Sequence, residues 1–332
     1  MSESFLIVRT SSLGDIIHAL PALAALRKHR PDASIRWVVG GKGRAILDWV
    51  AGLDGIIVAG SPDWRRSLRA DGQTSLDFQG LLKSGWISRL SGSKRRIGFH
   101  RRNLREPAAR VFYTEQASAF PETEHVIRKN LHLLAVLGIS EPEIVFPLHV
   151  PEADRASARD LLLRLGWDGR ARVVLFNVGA AWPTKQWFPE RWRETIDAIV
   201  RPDVFPVLLW GTPEEEALAR QAAAGRNGPI AAIAPFLTIP ECLALIAASR
   251  LLVSGDTFAL QAAAALNVPI VGLFGPTDPR RNGPFRDRDK IVHPELACSR
   301  CYKRACSEIE CLKAITAGEV ASRIEEALAE HA

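Results

Sequence analysis

The sequence predicts an α/β protein made of two doubly wound, parallel-sheet domains. Apolar runs rich in Val and Ile alternate with helical patterns along the whole chain, and strands buried under helices on both faces read as unbroken hydrophobic runs. The alternation pauses at "VFPLHVPEADRASARDLLLRLGW", where a Pro-punctuated extended piece leads into a charged amphipathic helix, and then restarts. A length of 332 residues with 47% hydrophobic content is enough to fill two cores.

The first domain, residues 1–150, opens with strand "FLIVRT", helix "IIHALPALAALRKH" and strand "SIRWVVG", followed by a helical stretch from about Gly43 to Val50. A helix of about Glu152 to Leu165 opens the second domain, residues 151–332. Its strands are "RVVLFNVG" (172–179), "FPVLLWG" (205–211), "IAAIA" (230–234), "LLVSGD" (251–256) and "PIVGLFG" (269–275). The Ala-rich "ALQAAAAL" (259–266) is a helix former. "FLIV" is too short for the apolar core of a signal peptide and lacks a basic lead, and no later run approaches spanning length, so the chain is expected to be cytoplasmic.

The formal charge of +6 is unevenly spread: residues 1–150 hold 21 Lys and Arg against 14 Asp and Glu, the remainder 22 against 23. "KRRIGFHRRNLREPAAR" (94–110) alone carries seven basic residues and one acid, and "WRRSLR" (64–69) adds three more basic ones. One reading is a solvated basic face; the other is a site for phosphates or carboxylates, including those of an anionic glycolipid at a membrane surface. No nucleic-acid partner is expected, because the segment lacks a recognisable binding module and interleaved aromatics.

Ligands of open α/β sheets sit beyond the carboxyl ends of the strands, and there Asp15, Lys185, Glu215, Asp256, Thr257, Thr277 and Asp278 concentrate. Asp15, read as standing just before a helix, is either a plain N-cap or a carboxylate that deprotonates an incoming hydroxyl, in a close-approach loop with Ser11, Ser12 and Gly14. His18 is expected to pack or cap locally. Lys185, ahead of a helix beginning near Pro189, is a surface lysine or a cation that holds a diphosphate. Glu215 lies in the first turn of its helix, where acids are favoured, and could bind ribose hydroxyls. No G-x-G-x-x-G follows any strand, which argues against a nicotinamide oxidoreductase.

Cys242 stands alone, whereas Cys298, Cys301, Cys306 and Cys311 form C-x2-C-x4-C-x4-C. In a reducing compartment this spacing suggests a metal before it suggests disulfides. Four thiolates would hold a structural zinc or iron with no open coordination position; four free thiols in a basic loop are the alternative.

Together, "TSSLGDIIHALPAL" (10–23), "DFQGLLKSG" (77–85), "TKQWFPERW", "WGTPEEE", "GDTFALQAAAALNVP" and "LFGPTDP" resemble the ADP-heptose:lipopolysaccharide heptosyltransferases of glycosyltransferase family 9. The likeness is greatest to the heptosyltransferase I branch and spans nearly the whole chain. It implies a GT-B fold, two Rossmann-like doubly wound domains facing a central cleft, with the acceptor on the first and ADP-heptose on the second. The implied activity is inverting transfer of heptose to an acidic, Kdo-containing lipopolysaccharide inner-core acceptor, with no cofactor needed for catalysis and peripheral contact with the inner membrane.

By the same resemblance Asp15 is the general base, with Ser11 and Gly14 shaping its loop. Lys185 steadies the diphosphate, Thr184 beside it binds the donor, Glu215 meets the ribose, and Asp256 with Thr257 starts the sugar-nucleotide motif, with Phe258 and Gln261 also on the donor. Arg65, Arg66, Gln79 and Lys83 gather the acceptor. The chain departs from the family pattern of Asp-Thr-Gly followed by Ser-His, because Phe258 stands where the glycine belongs and is followed by Ala259, Leu260 and Gln261. Phe258 keeps a phosphate further from the backbone than glycine would, and Gln261 cannot become cationic. A different donor, a different acceptor such as a protein hydroxyl, or an inactive glycan-binding paralogue therefore stay as alternatives.

Overall fold

Strand β1 (Ser4–Val8) is buried at every residue, as its unbroken Phe-Leu-Ile-Val run requires of a strand with neighbours on both edges. It leads into α1 (Leu13–His29), whose residues from Ile16 to Leu26 are nearly all buried. A helix apolar around most of its circumference needs cover beyond the sheet, and α5 (Val126–Leu133) supplies it. There Asn130 donates to His18 O at 2.9 Å, and the buried His18 ring meets His125 edge-on.

The computed structural model describes residues 3–70, 72–225, 228–286 and 289–330. The chain divides into two units, Met1–His149 and Val150–Ala332. Between α1 and α5 the first unit continues with β2 (Ser34–Val39), α2 (Gly41–Leu47), β3 (Gly55–Val58), α3 (Trp64–Ser67), β4 (Gln73–Asp77), α4 (Leu82–Leu90), β5 (Arg95–Gly98) and β6 (Glu115–Gln116). Its six strands are all parallel, in the order β3-β2-β1-β4-β5-β6.

The second unit runs α6 (Glu152–Arg164), β7 (Arg172–Asn177), α7 (Pro189–Ile199), β8 (Val204–Leu209) and α8 (Pro213–Ala223). A short antiparallel pair, β9 (Ala224–Gly225) and β10 (Gly228–Pro229), precedes β11 (Ala232–Ile233), α9 (Ile239–Ala247), β12 (Leu251–Gly255), α10 (Phe258–Ala265) and β13 (Ile270–Leu273). The chain then forms α11 (Pro279–Asn282), β14 (Lys290–Val292), α12 (Glu310–Lys313) and α13 (Ala317–Ala329). The main sheet order, β11-β8-β7-β12-β13-β14, is again parallel throughout. Numbered within its own unit, each sheet reads 3-2-1-4-5-6, the doubly wound order whose crevice opens between the first and fourth strands.

Three boundaries differ from the sequence reading. Helix α1 starts at Leu13 with Ser12 as its N-cap, so Gly14 and Asp15 lie inside the first turn, not ahead of it. Helix α2 covers Gly41–Leu47 and stops short of Val50, which instead bridges Leu148. The expected strand "IAAIA" shrinks to Ala232–Ile233, a sheet edge with β8 as its one partner strand.

The core of the second unit is organised by aromatics. Trp192 on α7 meets Trp187 at 4.9 Å and Phe176 of β7 at 6.0 Å, both edge to face, the arrangement that aligns ring edges with ring faces. Trp187 Nε1 donates to Leu312 O at 3.2 Å, tying the C-terminal helices to this cluster. Replacing Trp192 by Ala should therefore destabilise the second unit by about 3–5 kcal/mol, measured as a lower urea midpoint for the transition that reports Val150–Ala332.

Candidate active site

In the first unit the crevice lies where β1 and β4 part, beyond the paired residues Val8 and Asp77. Arg9 and Thr10 leave β1 and meet Phe78 and Gln79 leaving β4. The Arg9 guanidinium donates to Phe78 O. Gln79 Oε1 accepts from Thr10 N at 2.9 Å and from Thr10 Oγ1 at 2.8 Å, while its Nε2 lies 3.5 Å from Ser11 Oγ.

Asp15 is the focus of this loop. Its Oδ2 accepts from Ser12 N at 3.1 Å, from Ser12 Oγ at 2.9 Å and from Arg9 Nη2 at 2.6 Å. Asp15 is therefore not the N-cap but the N3 partner of the Ser12 cap, whose backbone and side chain it binds through Oδ2, and among the described residues no bond engages Oδ1. The side chain is 41% exposed. Partial burial works against its ionisation, but Arg9, His18 and the Ser12 donors outweigh that and hold the carboxyl below the usual carboxylate range.

A buried carboxylate supports the same loop from below. Asp77 Oδ1 accepts from Gln79 N at 2.8 Å and Gly80 N at 3.2 Å, and Oδ2 accepts from Tyr113 Oη at 2.7 Å. Burial pushes the Asp77 carboxyl up despite these donors, and burial together with Asp77 pushes the Tyr113 phenol up. Tyr113 lies so close over Gly98 that a Cβ there would come within 2.4 Å of its ring, so only glycine fits.

In the second unit the crevice lies between β7 and β12. Lys185, from the short turn Pro183–Lys185, reaches across it to Asp256 Oδ2 at 2.7 Å and Asp256 O at 3.2 Å. Its Nζ also sits 4.4 Å from the centre of the Trp182 ring, over which Arg304 lies as well. Gly255 permits this approach, because a Cβ there would fall 3.1 Å from Lys185 O. Asn177 at the end of β7 donates to Ser254 Oγ at 3.1 Å and Thr257 Oγ1 at 3.2 Å, fixing the start of α10.

Glu215 lies in the first turn of α8 behind the Thr212 N-cap and accepts from Gly211 N at 2.8 Å. Its carboxylate packs over Gly179, where a Cβ would approach to 2.2 Å. The side chain is buried at the strand end, as a group meant for a bound ligand or for local bracing would be.

Several other expected residues are committed to the fold. Thr184 is buried and donates to Lys303 O at 2.8 Å. Gln261 is buried and donates to Asn282 O at 2.8 Å, and Asn282 in turn reaches Asp256 Oδ2 at 3.3 Å. Phe258 is half-buried at the first position of α10. Asp278 caps α11 and pairs with Arg280 at 2.7 Å. Arg65, Arg66 and Lys83 are exposed, with the Arg65 guanidinium 5.9 Å from the Trp64 ring centre and 5.7 Å from that of Trp86.

The expectation of a structural zinc or iron finds no support. Among the described residues no group of three or more His, Cys, Asp and Glu could hold a metal ion. Cys298, Cys301 and Cys306 are exposed, whereas Cys311 is buried in the apolar core, against Gly275. Burial, together with the neighbouring Cys298 and Cys301, pushes the Cys311 thiol up.

A profile of glycosyltransferase family 9 (heptosyltransferase) matches residues 63–312. This chain belongs to glycosyltransferase family 9. It is 30% identical over 321 residues to lipopolysaccharide heptosyltransferase 1 of Pseudomonas aeruginosa, covering 91% of this chain and 87% of that one. It is 29% identical over 299 residues to the Escherichia coli enzyme of the same name, covering 84% and 90%. Among solved structures, E. coli heptosyltransferase WaaC with ADP-2-deoxy-2-fluoro heptose superposes with a TM-score of 0.76 at 25% identity, over 97% of this chain and 99% of that one. A family 9 glycosyltransferase from Veillonella parvula shares the fold, with a TM-score of 0.82 at 20% identity over 98% and 97%.

The family 9 enzyme thus has the GT-B pair of Rossmann-like units, and each unit carries one polar constellation at its own crevice. Sequence reasoning missed Arg9, whose only sign was a charge ending an apolar run. It also missed Tyr113 and Asn282, which act through partners far away in the chain, and Asp77, which braces both its own loop and Tyr113. The family 9 enzyme with Arg9→Gln should titrate Asp15 at higher pH than the wild type, read by carboxyl 13C NMR. Asp15 has its pKa lowered on folding, so its stabilising effect is full above the unfolded value and fades as pH falls through the folded one. The gap in stability between wild type and Asp15→Asn should close in that acid range and stay open at neutral pH, measured by thermal unfolding.

Proposed function

We propose that this chain moves heptose from ADP-heptose to a hydroxyl of an acidic, Kdo-bearing lipopolysaccharide inner-core acceptor, with inversion at the anomeric carbon. The observation that carries this reading is Asp15: ionised, clamped through Oδ2, and open at Oδ1. Such a carboxylate is oriented before substrate arrives and needs no rearrangement to take a proton. The kinship with lipopolysaccharide heptosyltransferases supports the substrate class, and the relative bound to an ADP-heptose analogue supports the donor.

In this mechanism the acceptor hydroxyl attacks the anomeric carbon while its proton passes to Asp15 Oδ1. The bond from that carbon to the diphosphate oxygen breaks, and ADP leaves with the electron pair. Lys185, held by Asp256 and the Trp182 face, meets the growing charge on the diphosphate; a cation fixed in advance acts more strongly than one that must be ordered during the reaction. Thr257 and the first turn of α10 add donors. Glu215 accepts from a ribose hydroxyl. The first unit serves the acceptor, through Arg65, Arg66, Gln79 and Lys83, and the second serves the donor.

Gln261 and Phe258 favour a second reading, a family 9 transferase with an altered donor or acceptor or a glycan-binding paralogue, because Gln261 is bonded to Asn282 and is not free for a phosphate. ADP release measured with ADP-heptose and Kdo-bearing lipid A separates the two. Acceptor-dependent release that falls by about 10²–10⁴-fold in Asp15→Ala, with ADP binding retained, upholds the transferase. Release that ignores the acceptor, or that survives the substitution, overturns it. Arg65→Ala with Arg66→Ala should raise KM for the acceptor and leave KM for the donor unchanged, in the same assay.

A further inference from the structure

Helix α4 turns an apolar side outward. Leu82 and Trp86, one turn apart, are 44% and 42% exposed, and Arg89 continues the same stripe. The turn Pro107–Phe112 packs beside α4 so closely that a Cβ on Gly85 would come within 2.7 Å of Phe112. Within that turn Val111 is 73% exposed. Glu106 locks the two together by accepting from Leu82 N at 2.6 Å.

Charge surrounds this apolar strip. Arg65, stacked over Trp64 and Trp86, borders it from α3. Exposed Arg66, Lys83, Arg89, Arg105 and Arg110 stand in the same segments, against the acids Asp63 and Glu106, of which Glu106 is engaged at the helix end. Three protruding apolar side chains ringed by cations fit a bilayer interface, where Trp sits at headgroup level and Lys and Arg meet anionic lipid phosphates. A second copy of the chain does not fit, because pairing this face with itself would set like charges against each other.

We propose that α4, the Pro107–Phe112 turn and α3 form the face by which this chain docks on an anionic phospholipid bilayer, inserting Leu82, Trp86 and Val111 into the interface. Gln79, which bonds the Asp15 loop through Thr10 and Ser11, lies three residues before Leu82. The proposed docking face thus follows directly on the Asp15 loop's partner along the chain. The proposal rests on the transferase reading only for the reason a membrane is visited, namely an acceptor anchored there.

The test uses the full chain with vesicles of phosphatidylcholine alone or mixed with phosphatidylglycerol, free of glycolipid and nucleotide sugar. Expected are co-sedimentation with the anionic vesicles only, several-fold release as salt rises from about 0.1 to about 0.5 M, and quenching of tryptophan emission by lipids brominated near the headgroup. Trp86→Phe should remove most of that quenching. Leu82→Ser with Val111→Ser should weaken partitioning by about tenfold with an unchanged melting curve.

Three results would overturn the proposal. Undiminished binding by the double variant and undiminished quenching in Trp86→Phe would place the contact on another face. Binding only to vesicles that carry the glycolipid would make the basic residues an acceptor site and nothing more. Concentration-dependent self-association lost in the double variant, without vesicle binding, would make the strip a contact between copies. Because acceptor and donor are absent, failure here is separate from failure of the ADP-release assay.

Discussion

Each sheet reverses its winding beside its first strand, and everything that looks chemical in this chain hangs on that reversal. With no crossover helix covering the gap, the loops leaving the first and fourth strands separate and expose their polar groups. The gap must be bridged by side chains. Arg9 to Phe78 O and Gln79 to Thr10 bridge it in one unit, and Lys185 to Asp256 and Asn177 to Thr257 in the other. These bonds convert an opening in a sheet into a fixed arrangement of charges.

The two openings use the same device in opposite senses. In the first unit a largely buried arginine, 13% exposed, holds a more exposed carboxylate; in the second a carboxylate, 9% exposed, holds a lysine. The holder in each case is the more buried partner, and in the first unit Arg9, working against burial, helps to hold the Asp15 carboxyl below its usual range. In the proposed reaction a carboxylate so held accepts a proton only as bond formation makes the attacking hydroxyl acidic. Lys185, so held, lies against the face of Trp182, where the proposed reaction would bring a departing diphosphate.

The strands were legible because burial on both faces leaves an unbroken apolar signature, as in Ser4–Val8 and Leu251–Gly255. The start of α1 was less so: Ser12 and Asp15 read equally well as a loop or as a cap until their mutual bonds are seen. Site residues at strand ends could be picked by position, but not their partners. Arg9 meets Phe78 across 69 positions of chain, and Thr184 meets Lys303 across 119, distances over which no local pattern carries information. The cysteine spacing suggested a ligand set, yet the burial of Cys311 in the core is decided by packing against Gly275 and is invisible in the spacing.

Tyr113 is hydrogen-bonded to a buried carboxylate at the far end of the basic segment, and Glu106 is fastened to the start of α4 within it. The pairing of β5 with β4 and Asn103, which donates to Phe120 O at 2.8 Å, fix the same segment, so its arginines ride on a strap tied down along its length. Their backbone spacing is consequently set when the protein folds, so the proposed docking on an anionic surface would escape the entropy loss that a floppy basic tail would suffer. A tether of this kind favours partners whose own negative groups recur at a matching interval over those that merely carry the same total charge.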